Sequence, residues 1–333
     1  MKIVKLDQII QSLVNSDKIF LNYKCEPLLS SGENYGSVML DIRIKFRRSN
    51  EFSYKDEVIN CVAKTCPPRG FMWFLFNTPV TFKKEIGYYT TIVPKLIEFC
   101  AQHKFTLDSY AKCYGARISL EHKFTLDSYA KCYGARISLD ECSEEVDDDA
   151  CLLLENLKCV GYNTLDRFLG LDYNCTQSLI RDLAVLHAVP IAYKCKHPGI
   201  FESFRPILKK GINSVFSEST IEQTCKRYQE FMYDKHLELL PRVRTGYRKI
   251  ANYAKPLEKT NPLFQTITHN DLWVNNIMTK FEVGRIMNKF VDFQILEYSS
   301  LADDLVFFLY SSVQIEVLQK HLEYFIAYYY NTI

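Results

Sequence analysis

The sequence predicts an α+β protein: an N-terminal antiparallel sheet with one main helix, followed by a mainly helical C-terminal half. Three observations carry this expectation. Val38, Leu40, Ile42, Ile44 and Phe46 alternate with other side chains, the period of a strand. Phe82, Ile86, Tyr89 and Val93 recur at i, i+4, i+7 and i+11, the stripe of an amphipathic helix. Downstream, Leu179, Leu183 and Leu186, then the long stretch 221–253, keep helical spacing.

Taken in order, residues 1–14 mix apolar residues with Lys5, Asp7 and Gln8 and lack the apolar core of a signal peptide, which predicts a cytoplasmic protein. A β-like run begins at Ile19, and a turn at residues 30–34 leads into the alternating strand. Val58 to Thr65 reads as a further short strand carrying Lys64 near its end. Thr78 followed by Pro79 predicts a helix start, with Thr78 as N-cap. Pro94 is expected to end or kink that helix near Val93. After an acidic loop at 140–149, the run 151–157 reads as a buried strand and places a boundary between an N-terminal lobe, 1–157, and a C-terminal lobe, 158–333. Thr176 is expected to cap the next helix.

Forty-one Lys and Arg against 39 Asp and Glu leave a net charge of +2, so no global field favours nucleic acid or an acidic membrane. No stretch approaches the roughly 18 apolar residues of a membrane span. None of the 12 Cys forms a C-x-x-C pair, and Cys61 and Cys151 sit in apolar runs, which predicts buried reduced thiols. Residues 103–120, HKFTLDSYAKCYGARISL, recur without change at 122–139. Two perfect copies mark a very recent duplication or an error in the assembled gene, since a solenoid needs at least three. Only one copy can occupy the strand position that 131–139 suits, and the other is expected to form a surface extension.

The chemistry concentrates in Thr268-His269-Asn270-Asp271-Leu272-Trp273-Val274-Asn275-Asn276, followed by Val291-Asp292-Phe293-Gln294. Phosphoryl transfer needs an acceptor-side carboxylate, oxygen ligands for Mg²⁺ and neutralisation of phosphate charge. Asp271 supplies the carboxylate that orients and deprotonates a hydroxyl, while Asn276 and Asp292 supply hard oxygen ligands to the metal. His269 is expected to prop the loop. Each residue alone fits a polar loop beside a hairpin, but the combination at this spacing is far rarer. Lys64 ends a strand like the phosphate-binding lysine strand of kinases. Glu85 shares the apolar face of the predicted helix and needs a cationic partner there, with Lys64 the natural one. Gly32 and Asn34 lie in a strand-joining turn whose N–H groups could cover phosphates, although a plain hairpin turn explains them nearly as well. The connector ending in Glu155 and Leu157 would offer backbone groups to adenine. Asp304 follows Ser300 in a capping pattern and is a candidate brace for the Asp271 loop, while His187 reads as a packed core histidine.

These strings, together with Lys84-Glu85-Ile86, Gly161-Tyr162 and His187-Ala188, resemble the ecdysteroid-kinase-like (CHK-kinase-like) family of insect small-molecule kinases, itself similar to aminoglycoside phosphotransferases and choline kinases. The resemblance implies a bilobal protein-kinase-like fold, ATP and Mg²⁺ as cofactors, and a small, often steroid-like hydroxyl acceptor. It also implies Gly where Asn270 stands, and further helices beyond Ile333 to wall the acceptor site. The alternative is a catalytically silent kinase-fold protein that binds nucleotide or a lipid-like ligand without turnover. Retention of Lys64, Glu85, Asp271, Asn276 and Asp292 together favours the enzyme.

Overall fold

Five strands form the N-terminal sheet: β1 (Lys18–Pro27), β2 (Val38–Asn50), β3 (Ser53–Thr65), β4 (Cys132–Arg136) and β5 (Cys151–Glu155). Their order is β1-β2-β3-β5-β4, and every neighbouring pair is antiparallel. The structure is a computed structural model that describes residues 3–10, 13–14, 18–28, 37–50, 53–70, 73, 76–103, 128–140, 142–209, 221–223, 225–226, 229, 237–253 and 262–333. These fall into two compact units, Met1–Lys209 with Thr266–Ile333, and Lys210–Gln265. The strand carrying Lys64 is longer than its apolar run suggests, because the polar residues from Ser53 onward pair along the whole of β2. β4 comes from the second copy of the repeat; all of the first copy after His103 lies outside the described residues.

Register decides which face each strand residue serves. Leu40, Ile42, Ile44, Phe46, Cys61, Ala63, Cys151 and Leu153 share one face, covered by Ile3, Leu6, Ile9 and Ile10 from the segment around helix α1 (Leu6–Ile9). The opposite face carries the cross-strand rows Met39–Lys64–Leu152 and Asp41–Val62–Leu154. Lys64 is therefore placed against the main core rather than under α1.

The predicted main helix runs as α2 (Thr78–Gly87), a π-helical turn at Tyr88–Ile92, and α3 (Val93–His103). All four stripe residues, Phe82, Ile86, Tyr89 and Val93, are buried. Two expectations change. Asn77, with φ 47°, occupies the cap position and Thr78 is already helical. Pro94 neither ends nor breaks the helix: the π turn bonds Val93 N–H back to Tyr88 O, which places Pro94 in the first turn of α3, where its missing N–H costs little.

The C-terminal part is mainly helical. Its long helix α4 (Tyr173–Lys196) is capped by Asp172, whose side chain accepts from Cys175 N–H at 2.8 Å. Thr176, the expected cap, lies inside the first turn and donates to Asp172 O at 2.6 Å. A short helix α5 (Pro198–Glu202) follows. The second unit contains α6 (Leu240–Tyr253), where Arg244 grips Glu222 with two bonds of 2.8 and 3.0 Å. Back in the first unit, β6 (Asn163–Thr164), β8 (Ile277–Glu282) and β9 (Arg285–Phe290) form one small sheet, and β7 (Gln265–Thr268) pairs with β10 (Glu297–Ser300) in another. Helices α7 (Leu301–Ser312) and α8 (Ile315–Thr332) close the chain.

Cys61 and Cys151 are fully buried free thiols, each pushed up to about 12 by burial. Among the described residues no helix is long and apolar enough to cross a membrane.

Gly134 in β4 lies against the N-terminal segment, since a Cβ there would stand 2.1 Å from Ile9 O. The Gly134→Ala variant should therefore lose about 1–3 kcal/mol of stability, read as a lower urea midpoint; an unchanged midpoint would show that the segment does not dock on β4.

Candidate active site

All the site residues belong to the first compact unit. Lys64 reaches from β3 with only 4% of its surface exposed. Its ammonium lies 2.7 Å from Glu85 Oε2 on α2 and 2.8 Å from Asp292 Oδ1, two residues beyond β9. Burial by itself would discharge the lysine, but Asp292 and Glu85 hold its pKa above the usual value. Glu85 is fixed at its other oxygen as well, where Oε1 accepts Phe293 N–H at 3.1 Å. The rings of Tyr88 and Tyr89, one turn along, pack on Phe293 and keep that backbone against the helix. Asp292 occupies the left-handed region at φ 68°, an unusual conformation for a non-glycine residue. Burial raises its carboxyl, yet Lys64 more than offsets this and keeps it below the ordinary aspartate value.

The Asp271 loop is held from behind. Asp304, fully buried in the first turn of α7, accepts His269 N–H at 2.6 Å and Asn270 N–H at 2.7 Å. It also accepts from His187 Nε2 on α4 at 3.0 Å, and the second ring nitrogen of His187 accepts from the Tyr329 hydroxyl of α8. His187 is the packed core histidine expected, fully buried, and both of its ring nitrogens are hydrogen-bonded. Asn270 adopts φ 63°, which asparagine tolerates. His269 Nε2 donates to Val291 O at 2.9 Å, so its Nδ1 is left to accept Asp271 N–H at 3.3 Å. Asn276 Nδ2 donates to both Asp271 O at 2.8 Å and Asp271 Oδ2 at 2.9 Å. Val291 N–H returns to Asn276 O at 3.0 Å, joining the loop to the Asp292 turn. Burial raises the Asp271 carboxyl above the ordinary aspartate value, and the Asp292 charge adds to this against the opposing pull of His269.

At the end of β5, Glu155 N–H is taken by Lys131 O at 2.7 Å and Asn156 N–H by Asn60 O at 3.1 Å. Leu157 O accepts Tyr162 N–H at 3.0 Å. Gly32 and Asn34 lie outside the described residues. Among those described, no group of three or more His, Cys, Asp or Glu side chains is placed to hold a metal.

The structure thus joins Lys64, Glu85 and Asp292 by ion pairs, and Asp271 with Asn276 by hydrogen bonds. The sequence reading missed Asp41, whose carboxylate accepts Asn156 Nδ2 at 2.8 Å. Its sole sequence signal is an acidic residue inside an alternating strand, which cannot name a partner 115 residues away.

Asp304 carries a pH prediction. Burial raises its carboxyl, but the His187 and backbone N–H bonds hold it below the usual value, so its stabilisation is complete above about pH 4 and fades as pH falls through the lower folded value. The Asp304→Asn variant should cost about 3 kcal/mol at neutral pH. In urea denaturation its deficit against wild type should stay constant from pH 7 to about pH 5 and shrink below pH 4; a deficit that grows on acidification would contradict this assignment.

No curated protein matches the chain. The profile of the Ecdysteroid kinase-like family matches residues 31–333, a span that contains Lys64, Glu85 and the whole Asp271-to-Asp304 network. On the strength of that match, the chain belongs to the ecdysteroid kinase-like family.

Proposed function

We propose that the protein is an ATP- and Mg²⁺-dependent phosphotransferase acting on a hydroxyl of a small, steroid-like molecule, built as a bilobal kinase-like fold divided near residue 157. One observation carries the reading: a buried Lys64 ammonium bridges Glu85 and Asp292, while the bond from Val291 N–H to Asn276 O at 3.0 Å ties the Asp292 turn to the Asp271 loop. A structural role for Lys64 would be met by one carboxylate. Two, with Asp292 partly exposed and strained, describe a cation waiting beside a polyanion site.

In this reading Mg²⁺·ATP supplies the transferable phosphoryl group and the positive charge that screens it. Asn276 and Asp292 would hold the metal, Lys64 the phosphates, and the N–H groups around Gly32 and Asn34 would cover them. The Glu155 carbonyl and Leu157 N–H match the donor and acceptor on the edge of adenine. Asp271 would orient the acceptor hydroxyl and take its proton, helped by a carboxyl raised by burial. Asn276 Nδ2 fixes the Asp271 carboxylate, so the amide oxygen is the end offered to the metal.

The test is phosphoryl transfer from labelled ATP to a panel of hydroxylated sterols, alkaloids and choline-like amines. Asp271→Asn should lower transfer by about 10²–10⁴-fold while keeping Mg²⁺·ATP binding, measured by calorimetry. Lys64→Met should weaken ATP but leave adenosine affinity near wild type. Equal transfer by Asp271→Asn would defeat its role. Nucleotide binding with no transfer to any acceptor would support the silent, ligand-binding reading.

A further inference from the structure

Asn156 sits between Glu155, the last residue of β5, and Leu157, the first of the 3₁₀ turn. It is 5% exposed, and it uses both ends of its amide. Oδ1 accepts Lys158 N–H at 3.1 Å, capping the 3₁₀ turn that begins at Leu157. Nδ2 donates to Asp41 Oδ1 at 2.8 Å. Asp41 lies in β2 on the same sheet face as Lys64, opposite Val62, and its other oxygen stands 3.4 Å from Arg43 Nε. The bond crosses over β3, which lies between β2 and β5, a span of two strand spacings, about 10 Å.

We propose that Asn156 and Asp41 form a latch that positions the adenosine end of the nucleotide site by tying the connector to β2; this rests on the nucleotide reading above. The latch fixes the turn that presents Leu157 N–H, and with it the distance from the connector to β2. It also occupies the Asp41 carboxylate, which would otherwise face an incoming polyanion on the Lys64 side of the sheet. Only an amide can serve both bonds at position 156. An aspartate could still cap Lys158 but would meet Asp41 as a second carboxylate. Asp41 and Asn156 are positioning residues, acting through the connector rather than touching the reacting atoms.

The pair can be exchanged without changing its atoms in number. In the double variant Asp41→Asn/Asn156→Asp, the new amide at 41 donates to the new carboxylate at 156, which still caps Lys158. Calorimetric titration with Mg²⁺·ATP and, separately, with adenosine should show Asn156→Asp weaker for both by about tenfold. The factor should be the same for the two ligands, because the triphosphate contacts are untouched. The double variant should recover wild-type affinity to within about twofold, which a merely destabilising change would not do. If circular dichroism shows Asn156→Asp unfolded, Asp41→Ala carries the same expectation of an equal loss for both ligands. Wild-type affinity in a folded Asn156→Asp, or no recovery in the double variant, overturns the latch. Failure of wild type to bind either ligand overturns the nucleotide reading on which it rests.

Discussion

The structure depends on how a charge buried at Lys64 is compensated. An ammonium with 4% exposure is tolerable only with carboxylates in direct contact, and here two converge on it from elements distant in sequence. Glu85 must come from α2, so the helix is turned to put a carboxylate on its buried face. Asp292 must come from the turn after β9, and the backbone reaches it through φ 68°. The strain of that turn is offset where Phe293 N–H meets Glu85 and the Phe293 ring meets Tyr88 and Tyr89. One electrostatic requirement therefore sets the relation of sheet, helix and Asp292 turn.

The buried carboxylate of Asp304 does for the Asp271 loop what Lys64 does for Asp292. Asp304 gathers two backbone N–H groups and a histidine, and each bond to its charge is stronger than a neutral one would be. Because His187 comes from α4 and Tyr329 from α8, the loop conformation is fixed by the packing of three helices. Asn270 can keep a left-handed backbone without glycine because its two neighbouring N–H groups are already held. Asp271 and Asn276 then face each other across a short 3₁₀ turn with little freedom left to lose on ligand binding.

The π turn at Tyr88–Ile92 has a related use. It spends one extra residue to carry the helix past Pro94, and it lets Tyr88 and Tyr89 both contact Phe293. A regular helix broken at Val93 would have separated the Glu85 turn from Leu96, Phe99 and Cys100, which anchor the same helix in the main core. Continuity across the proline thus keeps Glu85 rigid.

Much of this protein was legible in the order of its residues. Alternation in β2, the stripe of α2, the spacing from His269 to Asn276 and the carboxylate on an apolar helical face are all local patterns. Local patterns name chemistry because residue type and period survive without knowledge of partners. What the sequence could not contain is register. Whether Pro94 ends a helix depends on a one-residue slip in hydrogen bonding, and whether Asp172 or Thr176 caps α4 depends on which backbone leaves the helical region first. The bonds of His187 to Asp304 and of Asn156 to Asp41 join residues more than a hundred positions apart, so only the packed tertiary structure, which brings their donors and acceptors within 3.0 Å, could decide them.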